Sequence, residues 1–200
     1  MGRDVRGAVD HAETLVEALL TMARSERQPV TRDLVDLATV AEDVLDGIRP
    51  GDLRVDALLR PATTAGDPVL LERLVGNLVD NAVRYNIPGG DIRVTTATVD
   101  GLATLTVANT GPVIPADAVE GLFQPFRRLD ERTGDGFGLG LAIVASITTM
   151  HDGTVAAHPI PGGGIEVTVT FLAADESADL DLDPAAAPPF MCDWSHFTAS

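Results

Sequence analysis

Residues 67–84 contain the pattern that most restricts how this chain can fold. Asp67 and Pro68 are typical of a helix start, as an N-cap and a first-turn residue. At about 100° per residue, the aliphatic side chains of the following run fall on one arc: Leu71, Leu74, Val75, Leu78, Val79 and Ala82. Since a helix with one apolar arc buries it against other elements, we predict a helix packed on a layered core.

Helix and strand periods alternate around this segment. DLATVAEDVLDGI (36–48) is predicted as a helix and LRVDALL (53–59) as a strand. Two further strands flank Asp100-Gly101, a strong hairpin signal. GLGLAIVASITTMH (138–151) resumes helical spacing before a second hairpin that turns at Gly162–Gly164. This order predicts an α+β fold, a two-layer sandwich of a mixed sheet packed on helices.

The predicted domain, residues 29–172, follows a different kind of segment. In residues 1–28, apolar residues recur at alternating spacings of four and three, which is typical of a long bundle helix: Val5, Val9, Ala12, Val16, Leu19 and Ala23. Pro29 ends that helix. Within the domain, residues 110–137 are rich in Gly, Pro and charge, and we expect a functional lid or a disordered loop there.

The last segment, residues 173–200, is acidic and has no lysine or arginine. Its acidic residues and the run PAAAPP favour a disordered tail. The final apolar stretch, FMCDWSHF (190–197), has two explanations. It is either a segment that docks elsewhere or, as we favour from the sequence, a non-functional extension of the kind common at chain ends.

The charge of the whole chain excludes one class of partner. With 30 acidic and 14 basic residues, the formal net charge is -16, which disfavours a surface for nucleic acid phosphates. No stretch reaches the roughly 20 apolar residues of a membrane span, and the single cysteine, Cys192, fits a reducing compartment. We therefore expect a soluble, cytoplasmic protein with no nucleic-acid partner.

The helix predicted at 67–84 also carries a polar stripe. Arg73, Asn77, Asn81 and Arg84 fall within roughly 80° of one another on the helical wheel. Carboxamide oxygens can complete the shell of a magnesium ion that already carries phosphate oxygens, and arginine can pair with the phosphates directly. A nucleoside triphosphate meets these demands together, whereas the alternative is an ordinary solvated helix face.

Three further segments favour the nucleotide. In ANTGPVIP, Asn109 ends a predicted strand and can accept a hydrogen bond from a purine amino group, while Gly111 allows close approach to a flat ligand. The alternative is a plain turn. In LFQPF, Phe123 and Phe126 either pin a lid or fill the core beneath a long loop. In GDGFGLGLAIV, glycines precede a helix, whose free amides can bind anionic oxygens.

Together these motifs resemble those of the catalytic, ATP-binding domain of sensor histidine kinases, in the GHKL ATPase superfamily. In the family's order, NLVDNAVRY resembles the N box, NTGPVIP the first glycine box, LFQPF the F box and GFGLGLAIV the second glycine box. The resemblance covers residues 30–172. It implies ATP and Mg²⁺ as cofactors, with Asn77 and Asn81 as metal ligands.

The resemblance also implies a role for each motif. Asn77, Asn81 and Arg84 would act in catalysis by holding Mg²⁺ and neutralising phosphate charge, and Tyr85 would stack near the base. Asn109 would recognise the adenine amino group. The other implied nucleotide-binding residues are Gly111, Ile114, Phe123, Phe126, Gly136, Gly138, Leu139, Gly140 and Leu141.

Two positions depart from the family's pattern. The first glycine box usually starts with aspartate and has a glycine where Val113 stands. Asn109 keeps an acceptor oxygen without the negative charge, and Val113 is stiffer than glycine. We therefore expect weaker adenine binding, a more restricted lid and reduced rather than absent activity.

The phosphoacceptor is the larger departure. In the family a two-helix hairpin precedes this domain, and its first helix carries the acceptor histidine. HAETLVEALLTMAR (11–24) resembles the second helix only, and we interpret His11 as an exposed helical residue. His151 and His158 follow the nucleotide motifs and are interpreted as structural. The resemblance thus implies transfer in trans to a histidine on a separate partner, a homo- or heterodimer through residues 5–23, and a response regulator downstream.

Two other functions remain open from the sequence. A serine kinase of the anti-sigma-factor type shares the nucleotide site but usually lacks a preceding bundle helix. A non-catalytic adaptor would keep the fold and dimerise through residues 5–23.

Overall fold

The computed structural model describes residues 32–127 and 138–174. Within these ranges the strands and α-helices are, in chain order, β1 (Asp33–Asp36), α1 (Leu37–Gly47), β2 (Arg54–Leu59), β3 (Thr63–Gly66), α2 (Pro68–Arg84), β4 (Asp91–Val99), β5 (Leu102–Asn109), α3 (Gly140–Met150), β6 (Thr154–Pro159) and β7 (Ile165–Leu172). Two short 3-10 helices, Ala116–Ala118 and Glu120–Phe123, lie between β5 and α3.

The main sheet has five strands in the order β2-β4-β5-β7-β6. β2 runs parallel to β4 and the other neighbours are antiparallel, so the sheet is mixed, as predicted. Asp100 and Gly101, between β4 and β5, have φ of 51° and 76°, the left-handed conformations that a two-residue hairpin turn requires. This predicted hairpin is confirmed, and so is the second one, which turns at Gly162–Gly164.

The three helices pack on one face of this sheet. The predicted apolar arc of α2 is confirmed, because all six of its members are buried: Leu71, Leu74, Val75, Leu78, Val79 and Ala82. Alternate strand residues, among them Ile92, Leu105 and Val169, complete the same core. Burial alternates along β4, β5 and β7, as expected for strands with one covered face. The predicted two-layer α+β sandwich is therefore confirmed.

Two polar residues fix the start of α2. The carboxylate of Asp67 accepts hydrogen bonds from two first-turn amides at 2.9 and 3.1 Å, and Pro68 follows it. The backbone N–H of Asp67 donates to Nε2 of His151 at 3.0 Å, and Nδ1 of His151 lies 2.8 Å from the carbonyl oxygen of Ile147. Because Nε2 accepts, Nδ1 carries the proton and donates. The structural role predicted for His151 is confirmed, since this buried imidazole joins the start of α2 to the end of α3.

An ion pair holds the first residues of the two parallel strands together. The guanidinium of Arg54 on β2 donates to both carboxylate oxygens of Asp91 on β4, at 2.6 and 2.9 Å. These hydrogen bonds hold the pKa of the Asp91 carboxyl below its usual range. Because both side chains are largely exposed, solvent screens the pair, and its main role is in strand register.

Some features differ from the expectations or lie outside the described residues. β1 and β3 form a small antiparallel sheet that was not expected, and it meets the main sheet at the bridge between Thr64 and Ala173. The 3-10 helices lie inside the segment predicted as a lid. The predicted bundle helix, His11 and the tail from residue 175 fall outside the described ranges. Of the helices described, none is long and apolar enough to cross a membrane.

Replacing Asp67 by Ala is expected to lower the free energy of unfolding by about 1 kcal/mol, because two amides of α2 lose their acceptor. Urea unfolding followed by circular dichroism measures the change. Asp80→Ala is the matched control, since Asp80 is exposed further along the same helix. Equal losses in the two variants would contradict a specific capping role for Asp67.

Candidate active site

The polar stripe of α2 lies beside the buried arc and is partly accessible. Asn77 and Asn81, one turn apart, are half-buried, and Arg84, the last residue of the helix, is exposed. The side-chain amide of Asn77 donates to the carbonyl oxygen of Arg73 at 2.8 Å. Because the nitrogen is used within the helix, Oδ1 is the atom through which Asn77 can bind a cation.

The start of α3 contacts the second asparagine of this stripe. A Cβ atom added to Gly140 would lie 2.8 Å from Nδ2 of Asn81 and 3.1 Å from its Oδ1. Any larger residue would therefore displace the carboxamide of Asn81 from this position. Since the first amides of a helix have no partner within it, this contact places anion-binding amides beside a carboxamide. Two motifs that are distant in the sequence thus meet at one place.

The end of α2 meets the segment that follows β5. The N–H of Tyr85 donates to the carbonyl oxygen of Asn81 at 3.0 Å and ends the helix. The carbonyl oxygen of Tyr85 would lie 2.8 Å from a Cβ atom added to Gly111, which is buried. Gly111 therefore allows backbone to pack against backbone, and its contact with a flat ligand stays a prediction.

Asn109 ends β5 in a buried position, with 6% of its surface exposed. Its Nδ2 donates to the carbonyl oxygen of Thr110 at 2.7 Å. This bond fixes the orientation of the carboxamide and leaves Oδ1 as its acceptor. An ionised aspartate has no hydrogen to donate to this carbonyl oxygen. The hydrogen bond to Thr110 therefore gives a local reason for an asparagine, and not an aspartate, at position 109.

A polar network that the motifs did not indicate holds these segments together. The hydroxyl of Thr110 donates to Oδ1 of Asn86 at 2.6 Å and accepts from the N–H of Asp91 at 2.8 Å. Nδ2 of Asn86 lies 3.1 Å from the carbonyl oxygens of both Ala82 and Asp91. Asn86 therefore joins the end of α2 to β4 and β5. In the sequence, the one sign of this role was the position of Asn86 at the end of the asparagine-rich motif.

The turn between β6 and β7 supports the same segment from the other side. The N–H of Gly164 donates to the carbonyl oxygen of Pro112 at 3.0 Å. A Cβ atom added to Gly164 would lie 2.9 Å from the Cα of Thr110, and one added to Gly163 would collide with the carbonyl of Gly111. The glycine run was predicted only as a hairpin turn, but it also positions the backbone of residues 109–112.

The two phenylalanines of LFQPF have different surroundings. Phe123 packs against the core and holds the second 3-10 helix to the domain. Phe126 is 63% exposed and has a φ of 65°, so the alternative that it fills the core is wrong, while a role in pinning a lid stays a prediction. Its N–H donates to the carbonyl oxygen of Gly138 at 3.0 Å. This bond joins the described residues on the two sides of 128–137.

The other predicted ligand-binding residues differ in exposure. Leu139 is 4% exposed and lies in the core, so only its backbone is available to a ligand, and Leu141 also packs against the core. Ile114, which lies in the chain between β5 and the first 3-10 helix, is half-buried, and Val113 is 77% exposed. Gly136 lies outside the described residues.

This arrangement suits a metal ion that is held partly by phosphates. In residues 32–127 and 138–174, no group of three or more His, Cys, Asp or Glu side chains could hold a metal ion. The oxygens of Asn77 and Asn81 can supply two neutral ligands, and Mg²⁺ takes its others readily from phosphates and water. The fit of Gly140 against Asn81 brings phosphate-binding amides to the same place. The residues present therefore fit Mg²⁺ together with a polyphosphate.

The fold and this site define a nucleotide-binding domain of the sandwich type. The family model of histidine kinase-, DNA gyrase B- and HSP90-like ATPases matches residues 66–175. The chain therefore belongs to this ATPase family, and the resemblance identified from its motifs is confirmed.

Curated relatives of the chain are sensor kinases. Sensor protein CutS of Streptomyces coelicolor is 46% identical over 179 residues, which cover 86% of this chain and 43% of that protein. The signal transduction histidine-protein kinase/phosphatase MprB of Mycolicibacterium vanbaalenii is 33% identical over 165 residues, which cover 80% of this chain and 34% of that protein. The chain thus spans less than half the length of these relatives.

Solved structures agree with this assignment. The mycobacterial sensor histidine kinase MprB has a TM-score of 0.65 at 29% identity, over 71% of this chain and 97% of that chain. Full-length ShkA in complex with AMPPNP has a TM-score of 0.71 at 26% identity, over 86% of this chain and 38% of that chain.

Asn109→Asp is expected to lower the free energy of unfolding at neutral pH by about 1 to 3 kcal/mol, because a buried carboxylate would face the Thr110 carbonyl oxygen. The loss should shrink in acid, since a protonated carboxyl can donate to that oxygen. Urea unfolding at several pH values measures both effects. Asn109 would have no special role if the variant were as stable as the parent chain at neutral pH.

Proposed function

We propose that this chain is the ATP-binding kinase unit of a bacterial two-component signalling system. It transfers the γ-phosphoryl group of Mg-ATP in trans to a histidine on a partner protein, from which a response regulator then receives it. The contact between Asn81 and Gly140 carries the proposal, because it joins a candidate metal ligand to a phosphate-binding helix start. Membership of the ATPase family and the sensor kinases among its relatives support the reaction class.

The phosphates occupy the space between α2 and the start of α3. Asn77 and Asn81 hold Mg²⁺ through their side-chain oxygens, and the exposed Arg84 neutralises phosphate charge at the end of the helix. The backbone at Gly138 and Gly140 lines the triphosphate. When bound, Mg²⁺ screens the charge of the phosphates and orients them.

The adenine ring lies beside the segment after β5. Oδ1 of Asn109 accepts a hydrogen bond from the adenine amino group, an acceptor that the bond from Nδ2 to Thr110 leaves available. Tyr85 and Gly111, which are in contact at the end of α2, border the ring, and Ile114 adds apolar surface. A guanine presents an oxygen in place of the amino group, and this oxygen would repel Oδ1 because both atoms are hydrogen-bond acceptors.

The chemistry needs orientation more than acid or base catalysis. A neutral imidazole nitrogen is already a nucleophile, so the site has to align the γ-phosphate and stabilise its charge. Asn77 stands where related ATP hydrolases carry a glutamate, and a carboxamide cannot remove a proton from water. This favours transfer to a protein over hydrolysis.

The positions of the described histidines support an acceptor on another chain. His151 is buried, with both ring nitrogens in hydrogen bonds. His158 is exposed on β6, where it is paired with Glu166 in the register. Because Glu166 alternates with the buried residues of β7, both side chains are on the sheet face opposite the helices, away from Asn81.

Asn81→Ala is expected to weaken Mg-ATP binding at least about tenfold, equal to about 1.4 kcal/mol, because the variant loses a metal ligand. Titration calorimetry with and without Mg²⁺ measures the change, and urea unfolding checks the fold. Glu72→Ala, an exposed change on the same helix, should bind as the parent chain does. Unchanged Mg-ATP affinity in Asn81→Ala would remove the metal assignment.

Incubation of the chain with γ-labelled ATP and the phosphoacceptor hairpin of a sensor histidine kinase is expected to label the hairpin. The label should be stable in alkali and labile in acid, as a phosphohistidine is, and absent when the acceptor histidine is replaced by Gln. Acid-stable label on serine would favour the anti-sigma-factor type of kinase. Absence of both label and ATP-binding heat would favour the adaptor.

A further inference from the structure

The sheet face opposite the helices ends in a row of exposed apolar side chains. Val99, Leu102 and Leu172 are 54%, 41% and 76% exposed. Val99 is paired with Leu102 in the register of β4 and β5, and Leu102 with Leu172 in that of β5 and β7. Side chains paired in this way are neighbours on one face of a sheet. The three therefore form one continuous surface, called here the apolar row.

The rest of this face is mostly threonine and alanine, and four of the threonine hydroxyls are paired across neighbouring strands. Thr106 and Thr168 are 3.0 Å apart at their hydroxyl oxygens, and Thr154 and Thr170 are 2.6 Å apart. The described helices pack on the opposite face, so no helix of the described ranges covers the apolar row. Covering it would remove apolar area from water at about 25 cal/mol per Å².

The described chain ends beside the apolar row. Leu172 is the last residue of β7 and a member of the row. The N–H of Ala173 donates to the carbonyl oxygen of Gly101 and that of Ala174 to the carbonyl oxygen of Thr63, both at 2.9 Å. These bonds fix the point from which the rest of the chain starts. Whatever follows Ala174 therefore begins within a few residues of the row.

The sequence after this point contains a segment with matching chemistry. Residues 190–197 include Phe190, Trp194 and Phe197 at spacings of four and three, which is typical of one face of a helix. Residues 175–189, which connect them to the domain, can span at most about 50 Å. The sheet is about 20 Å wide at about 4.8 Å per strand, so the segment can reach the apolar row with ease.

We propose that residues 190–197 dock on the apolar row of the same chain. Tethering makes the contact intramolecular, so that even a weak surface is occupied at high effective concentration. The connecting residues carry five acidic side chains and no basic one, and their charge disfavours insertion beside the phosphates of the candidate active site. The docked segment covers the row and shields the ends of three strands from other chains.

The test uses Trp194, the only tryptophan of the chain. In the full chain its fluorescence should be shifted to the blue and protected from acrylamide, relative to a free peptide of residues 190–197. The double variant Leu102→Thr/Leu172→Thr should bring both signals to those of the free peptide. Threonine suits a strand and already occupies neighbouring positions, so the fold is expected to remain, as urea unfolding will check.

The matched control is Leu58→Thr, which changes an exposed leucine on the same face of the edge strand β2, where it is paired with Thr95 and not with a member of the apolar row. It should leave Trp194 as protected as in the parent chain. A dilution series without loss of protection supports docking within one chain. The proposal is overturned if Trp194 in the parent chain is as accessible as in the peptide. Loss of protection on dilution would also overturn the proposal. So would protection that is lost when Mg-ATP is added but is kept in the double variant.

Discussion

The burial of one arc of α2 fixes the position of the candidate site. Six side chains hold the helix against the sheet, and the same burial determines the direction of Asn77 and Asn81. A rotation by one residue would turn the stripe by about 100° and would expose core side chains while separating Asn81 from Gly140. The hydrophobic core, rather than the polar contacts of the site, therefore keeps the carboxamides in register with α3.

Close backbone contacts then bring the remaining segments to α2. Gly111 lies against the carbonyl of Tyr85, Gly164 against Thr110, and Gly140 against Asn81. Each contact leaves no room for a side chain, so small residues here serve assembly of the protein as well as access of a ligand. The network of Thr110 with Asn86 adds directional bonds at the same junction, where close packing alone would allow sliding.

The sequence predicted the features whose causes are local. The apolar arc of α2, the cap at Asp67 and the turn at Asp100-Gly101 follow from spacing and from single-residue preferences, and the structure confirms all three. The small sheet of β1 and β3 was missed because each strand has four residues, too few for a reliable period. The bracing role of Gly164 and the exposure of Phe126 depend on contacts between distant segments, which a pattern along the chain does not contain.

The hydrogen bond between Phe126 and Gly138 affects how freely the chain between them can change length. The described residues that flank 128–137 lie close together, because N of Phe126 and O of Gly138 are 3.0 Å apart. The entropy of closing a loop grows slowly, by about 0.6 kcal/mol for each doubling of length. Insertions between these anchors, even of a whole foreign module, should therefore be tolerated without displacing the start of α3.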